Sequence, residues 1–164
     1  MKQKCCFLDR DGVINVEVNY LQNPDDVIIE PGVPEALKLL KAAGFLRIVV
    51  TNQAGVAKGY FPESAVQDVH RRIAELLAGA GTEVDAFYHC PHHPDFTGAC
   101  DCRKPAPGML LRAAADHQID LAASCMVGDR PSDLEAGINA GCRESFLVRS
   151  GYGEKTIRGG GGAG

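Results

Sequence analysis

No stretch of this chain approaches the roughly eighteen consecutive apolar residues of a membrane-spanning helix. The start, MKQKCCFLDR, has no extended apolar core of the kind a secretory leader carries. Neither membrane insertion nor export is expected, and the cytoplasm is the expected compartment. An excess of positive charge is missing too: 17 Lys and Arg stand against 21 Asp and Glu, a formal net charge of −4. That balance argues against loose adhesion to nucleic acid or to an anionic membrane. Internal repeats are absent, and so is the paired cysteine pattern of a secreted disulfide framework. The seven cysteines are odd in number; Cys5, Cys6, Cys125 and Cys142 lie in apolar or strand-edge contexts, whereas Cys90, Cys100 and Cys102 cluster. Reduced buried thiols together with a metal site account for that distribution better than disulfides do.

What is present is a 164-residue chain, 45% hydrophobic, of a size for one domain over residues 1–158, with a glycine-rich tail at 159–164 expected to be disordered. CCFL, FLRIVV, VDAFYHC, SCMVGD and SFLVRSG read as short buried strands. Between them, PGVPEALKLLKAAG, PESAVQDVHRRIAELLAGAG, PGMLLRAAADHQI and PSDLEAGINAGC carry helical apolar spacing. Strict alternation of the two predicts an α/β fold, a doubly wound, Rossmann-like, mostly parallel sheet that presents ligands at the carboxyl ends of its strands.

The residues just past those strand ends are polar and acidic. FLDRDGVIN sets Asp9 and Asp11 two apart, with Gly12 for a sharp turn. VVTNQAG supplies Thr51 and Asn52, VGDRPSD supplies Asp129 and Asp133, and CRKPAPG supplies Arg103 and Lys104. A carboxylate can attack phosphorus and its neighbour can pass a proton to the leaving oxygen. Further carboxylates suit an oxygen-seeking cation, and the two basic residues can neutralise phosphoryl oxygens. Taken alone, Asp-Arg-Asp-Gly is equally a solvated turn. Together, the four segments point to a phosphate.

In order and spacing, DRDG, TNQ, RKP and GD...D resemble the motifs of the haloacid dehalogenase (HAD) superfamily of phosphatases, over nearly the whole chain to about Ser150. FLDRDGVIN, TNQAGVAKGYF, CPHHP...CDCRKPAPGM and VGDRPSDLEAG resemble in particular the heptose bisphosphate phosphatases and the related histidinol-phosphate phosphatase domains. The resemblance implies that Asp9 is the nucleophile and that Asp11 is general acid and then base. It implies Mg²⁺ held by Asp9, the Asp11 main chain and Asp129, with Asp133 orienting that shell. Thr51 and Lys104 would hold the transferring phosphoryl group. Asn52, Arg103, Gln53 and Arg130 would contact the substrate, with Glu17 and Tyr20 of INVEVNY reaching sugar hydroxyls. In that loop the chain departs from the common family pattern, carrying Val18 and Asn19 where a His-Gly pair usually precedes the Tyr.

Cys90, His92, Cys100 and Cys102 form C-x-H-x7-C-x-C, a donor set for a closed tetrahedral Zn²⁺ site. His89 and His93 are alternative nitrogen donors by position, and the resemblance favours His92. A closed site implies a structural metal, fixing Arg103 and Lys104 directly after the last ligand. The short connections on either side of Thr51 leave no room for a cap domain, so a HAD core with a zinc-binding loop is expected. The implied activity is removal of the C7 phosphate of a heptose 1,7-bisphosphate in the supply of nucleotide-activated heptose, with a small sugar bisphosphate as partner and a monomeric enzyme. Histidinol-phosphate hydrolysis is the nearest rival; a catalytically inactive zinc-stabilised binding module is the alternative from another class.

Overall fold

The computed structural model describes residues 1–159; the rest of the glycine-rich tail lies outside them. Five strands, β1 (Cys5–Leu8), β2 (Leu46–Asn52), β3 (Ala86–Cys90), β4 (Cys125–Gly128) and β5 (Glu144–Leu147), form one parallel sheet in the order β3-β2-β1-β4-β5. The helices are α1 (Val33–Ala42), α2 (Glu63–Gly79), α3 (Pro94–Thr97), α4 (Gly108–His117), α5 (Pro131–Ala140) and α6 (Gly153–Ile157).

Both faces of β1 are covered, which explains why CCFL is apolar without alternation. Cys5 and Phe7 point into a core with Ile48, Val50 and Met126 that α4 closes with Met109, Leu110 and Ala113 and α5 with Ala136. Cys6 and Leu8 point the other way, into a core with Val49 that α1 closes with Leu37 and α2 with Val69, Ile73 and Leu77. α1 has Pro34 in its first turn, and beyond its end Gly44 takes a φ of +87°. The strands and long helices thus follow the apolar pattern of the sequence. The short α3 and α6 do not: α3 is opened by Pro94 and capped by the His93 side chain, and α6 is tied down from outside itself, by Thr156 Oγ1 donating to the Asp129 carbonyl.

From β1 the chain runs outward to β2 and β3, then returns to β4 and β5 on the other side, so the strand order reverses between β1 and β4. The carboxyl ends of these two strands flank the crevice where such sheets bind ligands.

Candidate active site

Asp9 leaves β1 still bonded to the sheet, its N–H donating to the Val127 carbonyl at 3.0 Å, so its side chain arrives beside the end of β4. Asp129 follows β4 and is fully buried. Asp133 lies in the first turn of α5. Its Oδ2 accepts the N–H groups of Asp129 and Arg130, both at 3.1 Å, and its Oδ1 accepts Lys104 Nζ at 2.6 Å. Carboxylate oxygens of Asp9, Asp129 and Asp133 all lie within 4.8 Å of one another. Gly12, at φ +87°, lets the loop after β1 pass this cluster closely: a Cβ there would meet Asp129 Oδ2 at 2.4 Å.

The charge of the cluster does not close. Lys104, 2% exposed, also donates to Asp9 Oδ1 at 2.9 Å and to the Val50 carbonyl at 2.8 Å. Three buried carboxylates against one ammonium leave a formal deficit of two charges. Burial, then the Asp133 charge, push the Asp9 carboxyl well above the usual carboxylate range, and burial raises Asp129. Against the cost of its own desolvation, Lys104 is held charged by Asp133 and Asp9. Asp129 Oδ2 accepts the Tyr152 N–H at 2.8 Å, whereas Asp129 Oδ1 is buried with no hydrogen-bond partner among the described residues. An orphaned carboxylate oxygen in a dicarboxylate pocket lacking two positive charges fits a hard divalent cation. Both oxygens of Asp133 already accept donors, which suits it to orienting the shell.

Asp11 sits on the rim with its charge matched. Arg10, itself 1% exposed, donates to it through Nε and Nη2, with Asn15 at 3.0 Å and Gln53 at 3.1 Å. Against burial, the Arg10 guanidinium holds the Asp11 carboxyl below its ordinary range. Gln53 Nε2 also reaches Thr51 Oγ1 at 2.9 Å, joining the end of β2 to the same group. Asn52, which lines the active-site cavity, also pairs with Lys104: its amide donates to the Lys104 carbonyl at 3.1 Å and accepts the Lys104 N–H at 2.9 Å. It clamps the backbone that carries the lysine.

These groups open onto a cavity of 290 Å³ that Glu17, Tyr20, Arg103 and Arg130 also line. Arg130 lies over the Tyr152 ring at 3.8 Å. Burial, followed by the Asp11 charge, pushes Glu17 up to about 7, so its carboxyl can donate or accept near neutrality. Tyr20 OH accepts Lys58 Nζ at 2.6 Å, and its ring meets Tyr60 edge-on. Arg10, Lys58 and Tyr152 escaped the sequence reading. Lys58 stands within TNQAGVAKGYF and could have been noticed there; the burial of Arg10 and the backbone role of Tyr152 left no local mark.

At the end of β3, Cys90 Sγ lies 2.7 Å from Cys102 Sγ and 3.7 Å from Cys100 Sγ, and none of the three is in a disulfide. The longer separation is that of a tetrahedron with zinc–sulfur bonds of about 2.3 Å, whose edges are about 3.8 Å, whereas Cys90 and Cys102 would have to part by about 1 Å to share the ion. Against burial, backbone N–H groups of Arg103 and Cys102 hold the Cys100 thiol below its ordinary range, whereas burial pushes the Cys90 and Cys102 thiols up. His89 is bonded to the Glu63 carboxylate, and His93 Nδ1 accepts the Asp95 N–H at 3.1 Å. The His92 side chain is outside the tight group of thiols, though the residue lines the hollow beside Cys100 and Cys102 and its backbone N–H donates to the Cys90 sulfur. The cluster can hold a thiophilic ion.

Comparison with known proteins fits this geometry. A HAD-hydrolase-like family model matches residues 101–159. Over 150 residues the chain is 43% identical to a D-glycero-beta-D-manno-heptose-1,7-bisphosphate 7-phosphatase of Yersinia pestis, covering 88% of this chain and 80% of that one. The protein of the same description from Escherichia coli is 44% identical over 150 residues, covering 88% and 78%. The chain belongs to the heptose-bisphosphate phosphatase family of HAD-like hydrolases. Among solved structures, the D,D-heptose 1,7-bisphosphate phosphatase from B. bronchiseptica, complexed with magnesium and phosphate, superposes with a TM-score of 0.87 at 40% identity, over 96% of this HAD-like chain and 87% of that one. The corresponding enzyme from Burkholderia thailandensis gives 0.70 at 34% identity, over 97% and 86%. In this phosphatase no helix among the described residues is long and apolar enough to cross a membrane.

Proposed function

We propose that the protein hydrolyses the C7 phosphate of D-glycero-D-manno-heptose 1,7-bisphosphate through a phosphorylated Asp9, with magnesium at the carboxylate cluster and zinc at the thiols. The observation that carries this reading is the buried cluster of Asp9, Asp129 and Asp133 around Lys104, found in a chain 43% identical to named heptose phosphatases.

Asp9, held at the strand end by its backbone, presents a carboxylate oxygen for in-line attack on phosphorus; the P–O bond to the sugar breaks as the Asp9–P bond forms. Lys104 and Thr51 take the charge of the phosphoryl oxygens, with Asn52 keeping the lysine backbone in place. Asp11, lining the same cavity as Asp9, gives the proton to the leaving alkoxide in this scheme. In the resting enzyme Arg10 holds it ionised, the form needed to deprotonate water in the second half-reaction. The incoming phosphate dianion is the charge that raises its proton affinity for the first. Water then attacks phosphorus, releasing phosphate and restoring Asp9. Asp9, Asp129 and the Asp11 main chain would hold the magnesium, which supplies charge neutralisation and alignment of the phosphoryl group.

The substrate is tested by measuring phosphate release from heptose 1,7-bisphosphate and histidinol phosphate side by side. A kcat/KM preference of more than about tenfold for the bisphosphate is expected; an equal or reversed preference overturns the substrate assignment while leaving a phosphatase. Absence of magnesium-stimulated hydrolysis of any phosphate ester, an aryl phosphate included, would instead favour the inactive binding module.

Cys90, Cys100, Cys102 and His92 are the proposed zinc ligands. A zinc-bound loop delivers Arg103 and Lys104 to the site already ordered. Stripping zinc with a thiophilic chelator at saturating magnesium should lower kcat/KM by on the order of tenfold or more, while the magnesium concentration for half-activation shifts little. Metal analysis should find one zinc per chain before treatment. Protein free of zinc yet fully active refutes the assignment.

A further inference from the structure

Gln53 is buried and stands one residue past β2, on the loop that borders the cavity. Its backbone is fixed from the neighbouring strand, the N–H donating to the Cys90 carbonyl at 2.8 Å. From that support one amide nitrogen serves two acceptors: Gln53 Nε2 donates to Asp11 Oδ2 at 3.1 Å and to Thr51 Oγ1 at 2.9 Å. An ionised carboxylate only accepts, so the nitrogen end of the amide is the one that faces Asp11. Arg10 and Asn15 bond Asp11 as well, but among the described residues only Gln53 joins it to Thr51. For Thr51 the consequence is one of direction. A hydroxyl carries a single hydrogen, and here its oxygen already accepts from Gln53. The one protein acceptor in reach of that hydrogen among the described residues, the Asn52 carbonyl, is at 3.5 Å, too long to hold it firmly. The hydrogen is left for an oxygen arriving in the cavity that Thr51 lines.

We infer that Gln53 is a positioning residue that couples the two tasks of the site: it holds Asp11 Oδ2 for proton transfer and turns the Thr51 hydrogen towards the phosphoryl group. Both hydrogens of its amide nitrogen are committed within the protein, so that nitrogen is not the substrate contact that the resemblance implied. In the first half-reaction Asp11 passes its proton to the alkoxide oxygen as the bond from that oxygen to phosphorus breaks, and negative charge returns to the Asp11 carboxylate. A donor already aimed at that carboxylate stabilises the charge as it develops, without having to reorganise. In the same step the Thr51 hydroxyl donates to a phosphoryl oxygen. Gln53 thus acts through two other side chains, one at the leaving group and one at the phosphoryl group. This role rests on the reading of Asp11 as acid and base and of Thr51 as a phosphoryl ligand.

The test measures kcat/KM of Gln53→Met, which keeps the volume and removes both hydrogens, on a sugar phosphate and on an aryl phosphate, with Thr51 intact and in Thr51→Val. A phenolate leaves without a proton, so the aryl phosphate reads only the Thr51 arm. Gln53→Met is expected to lower kcat/KM by about 100-fold on the sugar phosphate and by about tenfold on the aryl phosphate. With Thr51→Val already in the chain it should cost about tenfold on the sugar phosphate and less than about twofold on the aryl phosphate, because only the Asp11 arm is left to lose. Gln53→Asn, one methylene short of spanning both acceptors, should repeat this pattern although it keeps the amide, and it carries the test if Gln53→Met does not fold. A merely structural role predicts a loss that is equal on both substrates and in both backgrounds, with Gln53→Asn close to wild type; either result overturns the role of Gln53. Asp11→Asn separates the two levels: if it turns over sugar phosphate at the wild-type rate, the acid–base reading itself fails, whereas its inactivity beside a fully active Gln53→Met removes only the role of Gln53.

Discussion

Asp9→Asn protein should fold and release no phosphate, with kcat/KM lowered by on the order of 10⁴ or more. The amide keeps the shape and can still accept Lys104 Nζ, but it carries no oxygen anion to attack phosphorus, and no other carboxylate of the cluster can substitute. Asp133 has both oxygens taken by donors, and Asp129 faces the cation pocket. The same variant should be more stable than the wild type in metal-free buffer, for a reason of sign. Asp9 has a higher proton affinity in the folded protein than the ordinary value of about 3.9 it has in the unfolded chain. Between those two values the unfolded state binds fewer protons, so folding stability falls as pH rises through the window and stays low above it. Asparagine removes that loss. The thermal midpoint of Asp9→Asn in EDTA should exceed that of the wild type at pH 8, with the gap narrowing towards pH 5. Added magnesium should raise the wild type more than the variant. An unchanged rate of hydrolysis would remove Asp9 as nucleophile; a lower midpoint at pH 8 would refute the charge deficit.

Most of this architecture can be read in the chain because it depends on local pattern. Each strand is a short apolar run stopping at a polar residue, each long helix has a clear apolar face, and the active-site groups come directly after strands, where a parallel sheet delivers them. Most of the exceptions share one physical character, contacts made over long distances in sequence. Arg10 looks like part of a solvated turn, yet it is almost fully buried, with Asp11 against it. Asn52 lines the cavity and also holds the backbone of Lys104, a pairing across 52 positions that no spacing reveals. The segment from Ser150 to Thr156 carries no motif but buttresses the cluster: Ser150 Oγ donates to the Gly12 carbonyl at 2.7 Å, and the Tyr152 N–H and Thr156 hydroxyl both bond Asp129. The thiols were legible because their spacing is itself the signal. The nitrogen donor was less so, since three histidines lie within five residues and only their partners distinguish them.

Lys104→Met should be among the most destabilising single changes at this site, and the loss should be electrostatic. The lysine is the one ammonium buried against the three carboxylates, 2.9 Å from Asp9 and 2.6 Å from Asp133. Methionine fills a similar volume, so packing is little disturbed, whereas removing one partner of a buried ion pair typically costs about 3–5 kcal/mol. Denaturant unfolding in EDTA at neutral pH should show a loss of that order. Two additions ought to offset it: magnesium, which restores positive charge, and Asp133→Asn in the same chain, which removes a negative one. Activity should behave differently. Lys104 also neutralises the phosphoryl group in transfer, so kcat/KM should fall by about 10²–10³ in both the single and the double variant. A packing role for the lysine predicts instead that Asp133→Asn adds to the destabilisation, because it would weaken the donors it accepts from Asp129 and Arg130 without relieving any charge. Recovery of stability without recovery of turnover is therefore the result that assigns Lys104 both tasks: counter-ion of the carboxylate cluster and cation of the reacting phosphate.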